Sequence, residues 1–151
     1  MKYEIVNLEE KVVIGKSIVT TNDNNKAMSD IGIMWNSFIN EGIYSNINDK
    51  KDSKAIGLYY NYENDFTGNY SFMCCVEVNS NSDTEYETLT IPTSKYAKFT
   101  IKGHMITDVA NAWSKIWNMD LNRKYTYDFE VYHNDSEDVN NQTIDIYIAI
   151  N

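Results

Sequence analysis

The chain has 151 residues, 42% of them hydrophobic, which suits one domain with a substantial core and excludes wholesale disorder. Its formal charge is −9 and its only basic patch is Lys50, Lys51 and Lys54, so direct nucleic-acid binding is not expected. The N-terminal MKYEIVNLEE lacks the apolar stretch of a signal peptide, and no apolar run reaches transmembrane length; a cytoplasmic protein with no membrane association is expected.

In chain order, a first strand is expected over 3–8. A helix follows over about 26–40, with Met28, Ile31, Trp35, Phe38 and Ile39 on one face. Asp23, Asn24 and Asn25 offer caps at its start, and Gly42 offers a stop. Residues 56–65 and 72–78 read as two strands around a polar turn. The adjacent Cys74 and Cys75 point to opposite faces of the second, which suits two buried thiols rather than a disulfide. After the polar stretch 79–85 the series recurs: a strand over 86–91, a helix over about 108–119, and strands within 126–135 and 144–150. Thr107 is the expected N-cap of this helix, and Val109, Trp113, Ile116 and Trp117 share a face.

The recurrence extends to side chains. Setting 56–65 against 126–135 matches Tyr59 to Phe129, Tyr62 to Tyr132, and Asn64-Asp65 to Asn134-Asp135. Trp35 and Trp113 occupy corresponding places in the two helices, and core packing against a sheet is the expected role of both. One βαββ unit has too few strands to bury its apolar faces alone. The expected fold is therefore α+β: two βαββ units, about 1–78 and 86–151, joined by the linker 79–85. A pseudo-two-fold axis would relate them, with helices packed on an antiparallel sheet and a central ligand cleft.

Within YDFEVYHND (127–135), Glu130 interrupts an aromatic strand. The alignment sets it against Tyr60 of the first unit. Strand alternation puts Glu130 and Tyr132 on one face, Tyr60 and Tyr62 on the equivalent face, and Phe129 and Val131 in the core. Trp117, at the edge of the helical stripe, and Tyr147, in the last strand, complete the candidate ligand-binding set. A carboxylate among rings would hold a cation, because desolvating an unpaired ion costs on the order of several kcal/mol and each good cation–π contact returns about 0.5–2 kcal/mol. A solvent-facing Glu on a half-exposed antiparallel strand is the alternative.

SKYAKFTIKG (94–103), the pair Ala112-Trp113, YDFEVYHND and TIDIYIAI (143–150) together resemble the GyrI-like effector-binding family over essentially the whole chain. Modules of that family also occur fused to AraC- and MerR-type transcription regulators. The resemblance implies a duplicated βαββ fold with a central small-molecule cleft. It also implies that Glu130 lies in that cleft and engages cationic, often aromatic or lipophilic, ligands. Where members often carry proline and small residues ahead of the acid, this chain has Lys124-Tyr125-Thr126-Tyr127-Asp128.

No cofactor is expected. His104 and His133 have no Cys or His at metal-ligand spacing, the six glycines form no phosphate loop, and no nucleophile elbow is present. The expected function is binding of an amphipathic small molecule, with any regulator or other protein partner supplied separately. Two alternatives stand beside it. One is a hydrolase of reactive alkylating compounds, as some relatives resemble, with Glu130 and Tyr60 or Tyr132 as base and donor. The other is a protein-interaction module resembling modulators of DNA gyrase.

Overall fold

The computed structural model describes residues 1–80 and 84–151, so part of the expected linker 79–85 lies outside the described residues. The elements run β1 (Glu4–Leu8), β2 (Lys11–Thr21), α1 (Lys26–Asn40), a one-turn α2 (Ile43–Asn46), β3 (Ala55–Tyr60) and β4 (Asn69–Glu77). They continue with β5 (Glu87–Ile91), β6 (Ser94–Gly103), α3 (Thr107–Trp117), β7 (Tyr127–Tyr132) and β8 (Gln142–Ala149).

All eight strands form one antiparallel sheet in the order β1-β6-β8-β7-β3-β4-β2-β5. Exchanging β1 with β5, β2 with β6, β3 with β7 and β4 with β8 leaves that order unchanged. The α+β plan of two βαββ units about a pseudo-two-fold therefore holds, with the axis between β3 and β7. Each unit carries one strand more than expected. The strands leading into the helices are β2 and β6, while β1 and β5 precede them at the sheet edges. These edge strands are exchanged: β1 pairs with β6, and β5 pairs with β2.

Both helices lie on one face of the sheet. Under α1, Ile14, Phe72, Cys74 and Val76 form a core with Met34 and Phe38. Under α3, Phe99, Ile144, Ile146 and Ile148 do the same with Val109, Ala112, Trp113 and Ile116. The α1 stripe is rotated from the expected one. Ala27, Met34 and Phe38 are the buried positions, whereas Met28 and Ile39 are exposed. Residues 27, 31, 34, 35 and 38 form a tighter helical face than the set containing Met28 and Ile39.

The expected caps also differ. Asn25 precedes α1 in a left-handed conformation without a side-chain cap. At α3, Thr107 is the first helical residue, and His104 Nδ1 accepts from the Ile106 and Thr107 amides.

Among the described residues the other face has no helix, yet Leu58 and Phe129 at its centre are fully buried. The sheet covers them itself. A cavity of about 110 Å³ on this face is lined by both Lys11 of β2 and Tyr147 of β8. These strands are four spacings apart, roughly 19 Å in a flat sheet, so the sheet must curl toward this side. Among the described residues no helix is long and apolar enough to cross a membrane.

Gly15 is required where β2 crosses the middle of β4. A Cβ there would lie 1.9 Å from the Cys74 carbonyl oxygen and 2.7 Å from the Cys75 Cα. Gly15→Ala should thus cost at least about 3 kcal/mol or abolish folding, read as a fall in the urea midpoint. An unchanged midpoint would show that β2 and β4 can part freely.

Candidate functional site

The β3–β7 pairing in the middle of the sheet sets the site. Its register places Gly57 opposite Glu130 and Tyr59 opposite Asp128. Directly opposed residues share a face, so Glu130, Asp128, Tyr132, Gly57 and Tyr59 all lie on the helix side. There α1 and α3 each supply a tryptophan. The rings of Trp35 and Tyr132 meet at 5.2 Å, and those of Tyr59 and Trp113 at 5.1 Å.

Glu130 is sealed among them, 1% exposed. Its Oε2 accepts a hydrogen bond from Trp113 Nε1 at 3.0 Å, and its Oε1 accepts one from the Tyr59 hydroxyl at 3.0 Å. The space for Oε1 exists because residue 57 is glycine: a Cβ there would approach Oε1 to 2.9 Å and the Trp35 ring to 3.2 Å.

No ion pair to Glu130 exists among the described residues. Burial therefore dominates and raises its pKa to about 7, while hydrogen bonds from Trp113, Tyr59 and Tyr132 oppose the rise. Burial and the nearby Glu130 charge in turn push the Tyr59 hydroxyl well above its ordinary value.

The other sequence candidates are distributed differently from the expectation. Tyr132 lies beside Glu130, as alternation required. Tyr60 does not: it pairs with Tyr127 on the opposite face and stacks on that ring at 6.0 Å. Tyr147 is on that face too, stacked on Phe129 at 4.8 Å. The alignment of β3 with β7 was three residues out of step. The helix-side residues are odd-numbered in β3 and even-numbered in β7, and the strand pairings exchanged by the pseudo-two-fold set Gly57 against Glu130 and Tyr59 against Tyr132. A slip by an odd number of residues moves every side chain to the other side of a sheet.

Tyr62 lies beyond the end of β3 and donates its hydroxyl to Asp128 Oδ2 at 2.6 Å. Trp117 is 41% exposed and stacks on Phe66 at 6.0 Å. The residues that sequence reasoning missed are Tyr59, Gly57 and Trp113 as a donor. Trp113 was visible on the correct helical face, but a packing indole and a donating one have the same periodicity. The central Gly57 of an otherwise bulky strand was the one available signal of a close approach.

The model of the Cass2 family, described as integron-associated effector binding protein, matches residues 4–150. The chain belongs to the Cass2 family. It is accordingly an effector-binding domain, in agreement with the GyrI-like resemblance read from its motifs.

Among solved structures, the Cass2 integron cassette protein of Vibrio cholerae is 28% identical with a TM-score of 0.78, covering 99% of this chain and 95% of that one. SAV2435, solved bound to tetraphenylphosphonium, is 20% identical with a TM-score of 0.84, covering 100% and 94%; at that identity the likeness concerns the fold. YobU of Bacillus subtilis (strain 168), named as a transcriptional regulator, is 34% identical over 106 residues, 67% of this chain and 66% of its own length. The match thus spans just under two thirds of YobU.

The raised pKa of Glu130 gives this Cass2-family domain a specific stability signature. The folded-state value, about 7, exceeds the ordinary 4.5, so the folded state holds the proton more tightly than the unfolded chain. The contribution to stability is full below about pH 4.5 and is lost as pH rises through about 7, a swing on the order of 3 kcal/mol. Glu130→Gln should remove this dependence. Thermal melts without ligand should show the variant gaining several degrees on the wild type between pH 4.5 and pH 8. A difference independent of pH would show that Glu130 does not titrate in this range.

Proposed function

We propose that this domain binds an amphipathic, aromatic or lipophilic cation, with Glu130 as the counter-ion and Tyr59, Trp113, Trp35 and Tyr132 as the surrounding rings. The observation that carries the reading is the sealed carboxylate without a cationic partner. A charge in such a place is costly when alone and becomes favourable when a cation enters. Rings on several sides add cation–π attraction, about 0.5–2 kcal/mol for each good contact. Membership of an effector-binding family supports the reading, as does the tetraphenylphosphonium bound in SAV2435.

Entry requires movement, because Trp113 and Tyr59 close over the carboxylate. The ligand must displace the Trp113 indole from Glu130 Oε2 and take its place as partner. Since α3 presents Trp113, binding is coupled to a shift of that helix or of its side chain. A regulatory readout could follow from such a shift, with a DNA-binding partner supplied separately. The halves about 1–78 and 86–151 then flank the ligand, each contributing one helix and one tryptophan.

Tetraphenylphosphonium tests the reading directly. Its affinity should rise about tenfold per pH unit below pH 7 and level off above, because ionised Glu130 is the binding form. Neutral tetraphenylmethane-type analogues should show no such slope. Glu130→Gln should weaken the cation at least tenfold at pH 8 and leave the neutral analogue unchanged. Equal losses for both ligands would assign Glu130 a structural role. Turnover of an electrophile that requires Glu130 would favour the hydrolase instead, and tight capture of a basic protein insensitive to Glu130 would favour the interaction module.

A further inference from the structure

A second buried charge lies one step along β7 from Glu130. Asp128 has a fully buried side chain, and its Oδ1 accepts from the Ala149 amide at 2.8 Å. Its Oδ2 accepts from the Tyr62 hydroxyl at 2.6 Å and from Arg123 Nη2 at 2.8 Å. Arg123, on the segment between α3 and β7, has a side chain only 6% exposed, and its guanidinium lies 4.3 Å from the centre of the Tyr125 ring. Asp128 is therefore satisfied, but Arg123 is not. Its Nε and Nη1 are buried with no hydrogen-bond partner among the described residues.

A guanidinium has five N–H donors and no acceptor capacity, so these atoms leave three donors unspent. Buried charged donors are ordinarily met. The structure spends effort to hold this one in place, since Asn122 and Tyr125 on either side of it adopt left-handed backbone conformations, φ 54° and 55°. That conformation is costly for a residue as bulky as tyrosine.

The orphaned donors are joined to the Glu130 site by an aromatic row. Tyr59, which holds Glu130, meets Tyr70 at 6.0 Å; Tyr70 meets Tyr62 at 5.9 Å; and Tyr62 meets Tyr125 at 5.7 Å. Asp128 and Glu130 are two residues apart on the same face of one strand, a separation of about 7 Å along the backbone. The row thus has a carboxylate without a cation at one end and donors without an acceptor at the other.

We infer that the effector is a cation that also carries a carbonyl or carboxylate acceptor on a flexible arm, with Arg123 Nε and Nη1 meeting that acceptor. The inference rests on Glu130 receiving the cation, and it adds the second recognition point. Glu130 selects for positive charge, and Arg123 selects among cations. A hydrocarbon cation such as tetraphenylphosphonium uses only the first.

Three phosphonium salts separate the two claims: (4-carboxybutyl)triphenylphosphonium, its primary amide, and hexyltriphenylphosphonium, which has similar length and no acceptor. Titration calorimetry at pH 8 should show at least one acceptor-bearing salt binding the wild type about tenfold or more tighter than the hexyl salt. Arg123→Lys keeps a cation beside Asp128 but removes Nε and Nη1. It should bring the three salts within about twofold of one another while leaving hexyl binding intact.

Equal affinities for all three in the wild type would overturn the inference and leave the cation site standing. So would a preference that survives Arg123→Lys. The wild-type comparison decides the matter even if the variant fails to fold. Failure of all three salts to bind would overturn the cation site, and the acceptor site with it.

Discussion

The burial of one carboxylate without a counter-charge is the constraint on which the site depends. Glu130 could have been neutralised by a lysine, and the chain has such residues elsewhere, as in the Lys11–Glu77 pair. The carboxylate is held instead by an indole N–H and a phenol O–H, donors that lower the cost of its charge without cancelling it. Everything nearby accommodates that arrangement. Gly57 leaves room for the carboxylate oxygen, α3 positions the indole, and the β3–β7 register brings Tyr59 to the same face. On the proposed function, the protonated carboxyl favours the sealed arrangement and the ionised carboxylate is the form that takes a cation.

The two faces of the sheet divide the labour. On the helix face, polar atoms are buried at the centre and aromatic rings are stacked around them at edge-to-face and tilted angles. On the opposite face the centre is apolar, with Leu58, Met73 and Phe129 packed where the sheet curls over itself. That inner layer gives β3 and β7 a rigid floor, so a change on the helix side can be absorbed by the helices rather than by the strands. The cavity on the inner face is lined by groups of both signs, including Lys11, Lys54, Glu77 and Asp145. Of these, Asp145 is already matched by Thr100 and His133.

Much of this architecture was legible in the sequence. The helices, the inner strands and the symmetry of the two units follow from apolar periodicity and from recurring aromatic positions. Glu130 stands out because an acid in the run Tyr127, Phe129, Val131, Tyr132 breaks that pattern. Its neighbours were less accessible. Whether Tyr59 or Tyr60 faces Glu130 depends on a register set by chain closure across the whole molecule, and local alternation carries no information about it. The strands β2 and β6 were missed for a related reason. Lys16, Ser17, Lys95 and Lys98 interrupt their apolar character, because each strand buries only part of its length. Arg123 gave no sign at all: an arginine in a polar segment is ordinarily solvated, and its burial is created by Tyr125 and Asp128 together.

The exchange of the edge strands ties the halves into a single mechanical object. The strand that begins the first unit is hydrogen-bonded to the second, and the strand that begins the second is hydrogen-bonded to the first. Neither unit can be pulled away without stripping an edge from the other, much as two hands with interlaced fingers resist separation. On the proposed function, the opening that admits a ligand to Glu130 is therefore assigned to the helix layer. Helices that shift over such a sheet would leave its halves joined, so the strand-borne side chains of the site would keep their places.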